Sequence, residues 1–189
     1  MSYKETNTYK GLKDRPQNNF PKWLIVHHTG GGDNNPFMTT SHHTAKSVEN
    51  YHLAKGWDGI GYHYFIELDG TTYKGRPEHV NGAHCKEEKM NFNSLGICLA
   101  GNFDVEDPSG AQVNSLKELL KELSAKYNIS KDKIVPHRYY ATYKSCYGNR
   151  LSDKWAQNLL STNEKCICLK DATISELFAE IMNRLKTFN

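Results

Sequence analysis

The sequence predicts an α/β fold in which a central mixed β-sheet is flanked by α-helices. Three observations carry this expectation. Short apolar runs recur with the character of buried strands, amphipathic stretches fall between them, and one tight-turn dipeptide joins two neighbouring strands as a hairpin. A length of 189 residues suits one domain with a few dozen residues left for arms.

Taken in order, residues 1–22 are polar and interrupted by Pro16 and Pro21, and read as an N-terminal arm lying across the domain. The run "WLIVHH", Trp23 to His28, has Ile25 and Val26 at its centre, the pattern of a strand buried on both faces, and "GGGDNNPF" ends it. In "TAKSVENYHLAK", Thr44 to Lys55, a short helix places Val48, Tyr51 and His52 on one stripe, with Thr40 or Ser41 as N-cap. "IGYHYFIELDGTTYKGR" is β-rich, and Asp69-Gly70 marks the hairpin turn. "SLGICLAGNF" is a further apolar strand, stopped at Gly101-Asn102.

"AQVNSLKELLKELSAKYN" carries Val113, Leu116, Leu119, Leu120 and Leu123 at helical spacing, and "DKIVPH" is a strand that delivers His137 at its end. The domain proper therefore runs over residues 23–160, with a C-terminal extension over 161–189. In that extension Thr173 and Glu176 form a capping box, and Ile174, Leu177, Phe178, Ile181 and Leu185 make an apolar stripe. The expected use of this helix is packing on its own domain, with a homodimer contact or a small wall-binding appendix as alternatives.

Composition excludes several function classes. No window of about 18 apolar residues could cross a bilayer, so no membrane insertion is expected. The polar start lacks the apolar core of a secretory signal, so the protein is expected to be made in a cytoplasm and to reach any external site by another route. A net charge of +3 spread over scattered Lys and Arg gives little support for nucleic-acid binding. Five cysteines, an odd number, argue for free thiols and against a disulfide framework.

The residues that carry chemistry lie where elements end: His27 and His28 after one strand, His137 after another, and Cys146 in the following loop. Strand ends converge at one sheet edge, and imidazoles with a thiolate suit tetrahedral Zn²⁺ with its fourth position open. Successive strand side chains alternate, so only one of His27 and His28 can face such a site. On spacing alone, satisfied interior histidines and a buried thiol explain the pattern as well.

Four motifs, "WLIVHHTG", "GWDGIGYHYFIELDGTTYKGR", "NGAHC…NSLGICLAGNF" and "PHRYYATYKSC", resemble in order and spacing the N-acetylmuramoyl-L-alanine amidases shared by phage endolysins and peptidoglycan recognition proteins. The resemblance spans Trp23 to Leu151 and implies the peptidoglycan-recognition-protein-like amidase fold. It implies a zinc hydrolase that cuts the amide between the lactyl group of N-acetylmuramic acid and L-alanine in bacterial peptidoglycan. Carried over by motif, the metal ligands are His27, His137 and Cys146, the catalytic residues Tyr62 and Lys144, and the substrate-groove residues His84 and His63. An endolysin released by a holin fits the polar N-terminus.

One departure stands out: relatives follow the ligand cysteine with "PG", whereas here Cys146 precedes Tyr147-Gly148, and the His137-to-Cys146 interval is one residue longer than usual. Non-cutting recognition modules of this type lack the cysteine, and wall-recycling enzymes carry aspartate there, so Cys146 argues for a wall-cutting amidase. Cys166 and Cys168 form a CxC without a visible second half of a metal site.

Overall fold

The computed structural model describes residues 2–32 and 34–161. Its strands are β1 (Lys4–Glu5), β2 (Trp23–His28), β3 (Tyr64–Ile66), β4 (Thr72–Lys74), β5 (Ser94–Leu99) and β6 (Ile134–Pro136). Its α-helices are α1 (Asn7–Leu12), α2 (Ala45–Ala54), α3 (Gly110–Tyr127) and α4 (Trp155–Asn158). The strands form one six-stranded sheet in the order β1-β4-β3-β5-β2-β6. Only β3 and β4 pair antiparallel, through the Asp69-Gly70 turn; the other neighbours are parallel, so the sheet is mixed as expected.

Both faces of the sheet are covered, which is why β2 and β5 read as continuous apolar runs. On one face Leu24, Val26, Leu95, Ile97 and Leu99 pack on Leu116, Leu119, Leu120 and Leu123 of α3. On the other, Phe65 and Cys98 meet Ala45 and Val48 of α2, while Ile25 and Val135 meet Cys85 and Met90. α3 starts in a capping box between Ser109 and Gln112 and ends at Asn128 in the left-handed region.

Several local expectations are corrected. Thr44 caps α2, because its hydroxyl accepts from the Ser47 N–H while the Ser47 hydroxyl accepts from the Thr44 N–H. Thr40 is instead buried and donates to the Gly30 carbonyl. Tyr51 does not join the inner stripe and is 48% exposed. The buried position beside Val48 and His52 goes to Glu49, which accepts from both the backbone N–H and the hydroxyl of Thr8 at 2.6 and 2.5 Å. In α3 the buried first-turn residue is Gln112, not Val113, since its amide donates to the Ala100 carbonyl at 2.8 Å.

Residues 2–22 supply an edge strand, a helix and a buried anchor. β1 pairs with β4, and Asn19 is fully buried, donating to the carbonyls of Glu78 and Ser94. The helix expected over Thr173 to Phe188, with its dimer contact, lies outside the described residues, as do Cys166 and Cys168. No helix among the described residues is long and apolar enough to cross a membrane.

Leu120 is fully buried between α3 and the sheet. Leu120→Ala should cost on the order of 2–5 kcal/mol in urea unfolding of the metal-free protein, and a loss below about 1 kcal/mol would contradict the α3–sheet packing described above.

Candidate active site

Parallel pairing sets Val26 opposite Pro136, so the next residues, His27 and His137, leave β2 and β6 at the same sheet edge. Their ring centroids lie 4.5 Å apart. The loop after β6 returns Cys146 to the same point, with its Sγ 3.7 Å from His27 Nδ1. One ligand atom from each of His27, His137 and Cys146 lies within 4.8 Å of the other two. They sit in the wall of a cavity of about 430 Å³, which Tyr62, His84 and Lys144 also line.

The cysteine loop is held by groups outside the triad. Arg138 donates through Nε to Asp153 and through its terminal nitrogens to the carbonyls of Ser145, Gly148 and Leu151. Its backbone N–H donates to the Cys146 carbonyl at 2.7 Å. Asp104 accepts from the Ser145 hydroxyl on one side of the cysteine and from the Asn149 N–H on the other. Tyr147 follows a cis peptide bond and is fully buried, its hydroxyl meeting the carbonyls of Ser152 and Asp153 at 3.0 Å.

His28 takes the opposite face of β2. Its Nδ1 accepts from the Phe103 N–H at 2.9 Å, tying the end of β2 to the loop after β5. Burial lowers its pKa to about 4, so it stays a neutral acceptor. Behind His27 stands His84, whose Nδ1 lies 3.0 Å from His27 Nε2. His84 Nε2 in turn lies 3.5 Å from the Ser94 hydroxyl, which donates to the Met90 carbonyl at 2.6 Å. The consistent proton arrangement is a one-way chain. His27 Nε2–H donates to His84, His84 Nε2–H points at Ser94, and His27 Nδ1 keeps its lone pair toward Cys146.

Glycine makes room for that chain. A Cβ on Gly96 of β5 would sit 2.5 Å from the His84 ring, so only glycine at this strand position lets the imidazole lie against the sheet. His84 therefore lines the cavity, as expected, with both ring nitrogens already facing His27 and Ser94. His63 is a correction. It is fully buried, its Nδ1 accepts from the Gly96 N–H and its Nε2 meets the Val80 carbonyl at 3.0 Å, so it braces the wall behind His84 and does not line the cavity.

The electrostatics keep the clustered imidazoles neutral. Burial, then the neighbouring His137 and His84, hold His27 well below the usual imidazole range, and burial with Lys144 brings His137 to about 4. Burial pushes the Cys146 thiol up to about 12, against the opposing pull of Lys144 and Arg138. The Tyr62 phenol is raised well above its ordinary value by burial and by the thiols of Cys98 and Cys146, so it keeps its proton and remains a donor. Lys144 is exposed at the cavity rim beside Tyr143, its Nζ 5.8 Å from that ring.

Residues 17–149 match the family described as N-acetylmuramoyl-L-alanine amidase. The chain belongs to this amidase family. It resembles the endolysin of Escherichia phage T7, 33% identical over 125 residues, a stretch covering 64% of this chain and 80% of that one. It also resembles peptidoglycan-recognition protein SC2 of Drosophila melanogaster, 32% identical over 108 residues, or 55% of either chain. Among solved structures, the endolysin N-acetylmuramoyl-L-alanine amidase LysCS from Clostridium intestinale URNW superposes with a TM-score of 0.68 at 30% identity, covering 85% of this chain and 96% of that one. As a member of the family the chain is an N-acetylmuramoyl-L-alanine amidase, the activity its four motifs imply.

The structure brings His27, His137 and Cys146 together and lines the same cavity with Tyr62, Lys144 and His84, whereas Arg138 and Asp104, which hold the cysteine loop, were not anticipated from the sequence. Arg138 stands in the quoted "HR" motif, where its position next to His137 was the available signal; Asp104 had none. Arg138→Ala should lower stability by roughly 1.5–3 kcal/mol, because charge-assisted bonds to loop carbonyls are lost. It should also speed alkylation of Cys146 in metal-free protein, read by peptide mapping. Unchanged labelling would show that Arg138 does not hold the loop.

Proposed function

We propose that this amidase is a zinc-dependent enzyme that hydrolyses the amide between the lactyl group of N-acetylmuramic acid and the L-alanine of peptidoglycan stem peptides, and so lyses bacterial walls. The observation that carries the reading is the meeting of two neutral imidazoles and a thiol, within 4.8 Å of one another, at the wall of an open cavity. This donor set fits zinc, and three protein ligands leave a fourth position for water. His27 through Nδ1, His137 and Cys146 would hold the ion. When bound, zinc lowers the pKa of water from ~16 toward ~7 and polarises the scissile carbonyl.

The chain's own groups supply the rest. Hydrolysis adds the water oxygen to the lactyl carbonyl carbon and a proton to the alanine nitrogen as the C–N bond breaks. Negative charge grows on the carbonyl oxygen in between, and the protonated Tyr62 phenol and the cationic Lys144 are the donors on the cavity wall that can meet it. His84 fixes the ring of His27 and leaves its Nδ1 free for the ion. Peptidoglycan is the partner, with no role for nucleic acid. The site of action is the cell wall, reached from the host cytoplasm through a holin, as for an endolysin.

Mass spectrometry of products from defined muropeptides tests the bond. The expected products are a free lactyl carboxylate and a peptide with an N-terminal alanine, and cleavage inside the peptide or the glycan would refute the assignment. Cys146→Ser should lose both bound zinc and activity. Tyr62→Phe and Lys144→Met should keep about one zinc per chain while losing ~10²–10³ in rate. Full activity after chelation, or in Cys146→Ser, would rule out the metal mechanism.

A further inference from the structure

His27 has a built partner for its second ring nitrogen, whereas His137 has a loose end. Its Nε2 is buried and makes no hydrogen bond, on a side chain 6% exposed. The acidic group facing it is Glu87, whose Oε2 lies 3.7 Å away. Glu87 is itself held in place: its Oε1 accepts from the Tyr143 hydroxyl at 2.6 Å, and its Oε2 is 3.6 Å from the Cys85 thiol. Partial burial would raise its pKa, but the bonds from Tyr143, its own backbone and Cys85 bring it to about 2, so it is a carboxylate at neutral pH. The turn that carries it continues through Glu88 and Lys89 at φ of 48° and 59°, consecutive non-glycine residues in the left-handed region.

We propose that Glu87 is a positioning residue for the metal centre: its carboxylate accepts the Nε2–H of His137 and thereby directs the Nδ1 lone pair of His137 toward His27 and Cys146. This rests on the zinc reading above. A shift of about 0.5 Å brings the pair within hydrogen-bond range. A histidine ligand whose other N–H is held by a carboxylate is fixed in tautomer and ring orientation and is the stronger donor. The two ligand histidines are thus backed differently, His27 by a neutral imidazole and His137 by an anion. Tyr143, in the lengthened loop before Cys146, connects that loop to the same carboxylate.

The ligand atoms of Cys85, Glu87 and His137 also lie within 4.8 Å of one another, which raises a second metal ion as the competing use of these groups. The positioning role is favoured because a second ion would require His137 to give up both ring protons, and because Glu87 already spends one oxygen on Tyr143.

Zinc affinity by chelator competition, and the visible absorption of the Co²⁺-substituted protein, test the proposal on wild type, Glu87→Gln, Glu87→Asp and Tyr143→Phe. Glu87→Gln should bind zinc about 10–100-fold more weakly and change the Co²⁺ spectrum, with the melting temperature of the metal-free protein unmoved. Glu87→Asp should recover part of the affinity. Tyr143→Phe, an exposed change that leaves the core untouched, should lose on the order of threefold. Unchanged zinc affinity and Co²⁺ spectrum in Glu87→Gln overturn the role, as does a stoichiometry of two ions whose second is lost in Cys85→Ser. A wild-type protein that holds no zinc overturns the zinc reading and this proposal together, whereas zinc binding that ignores Glu87 removes only the latter.

Discussion

The parallel pairing of β2 with both β5 and β6 is the constraint on which the site depends. Because β2 and β6 run the same way in fixed register, the residues that follow the Val26–Pro136 pair emerge side by side, and two histidines separated by more than a hundred residues in sequence become neighbours. A slip of one residue in either strand would turn one of those histidines to the other face. The register is held by burial on both faces: Leu24 and Val26 face the α3 leucines, while Ile25 packs with Val135, Cys85 and Met90. The packing that stabilises the sheet is therefore the same packing that aims His27.

That alternation explains the histidine pair. His27 shares its face with Ile25 and points into the cavity, while His28 shares the α3 face and spends its ring nitrogen on the Phe103 N–H. Both imidazoles are buried, and both are held neutral chiefly by that burial. A buried cation there would be costly unless paired, so a cluster of imidazoles in this position is matched to an external cation and poorly suited to carrying protons of its own. Placing several neutral rings within contact distance costs little as long as each nitrogen has a partner. His63, His84 and Ser94 supply partners on the β2–β5 side.

How much of this was legible in the sequence differs by the range of the interaction. Strands, α3 and the hairpin were legible because periodicity and turn chemistry are local; Trp23–His28 and Ser94–Leu99 emerged where the apolar runs lie. The convergence of His27, His137 and Cys146 on one point was legible through motif order, since each stands near the end of an element or in the loop after it. What failed depended on tertiary satisfaction of polar groups. His63 stands beside Tyr62 in the same motif, just before β3, yet Tyr62 lines the cavity whereas His63 is turned into the wall, where backbone groups of Gly96 and Val80 take its nitrogens. Glu49 and Gln112 displaced Tyr51 and Val113 from the buried faces for a similar reason: each answers a buried backbone group that an apolar residue would leave unpaired.

The loop between His137 and Cys146 shows how a partly exposed segment can still place a thiol accurately. Thr142, Tyr143 and Lys144 in its middle are exposed, while the Arg138 N–H at its start donates to the Cys146 carbonyl at its end. Arg138 gathers the carbonyls of Ser145, Gly148 and Leu151, Asp104 clamps both flanks of Cys146, and Tyr147 is anchored in the core against Trp155. Every one of these fixed points lies before or after the exposed stretch or on a neighbouring loop. The same division puts Lys144 in the exposed part of the loop, its N–H donating to the Ala141 carbonyl, while Cys146 sits between the two points that Asp104 clamps.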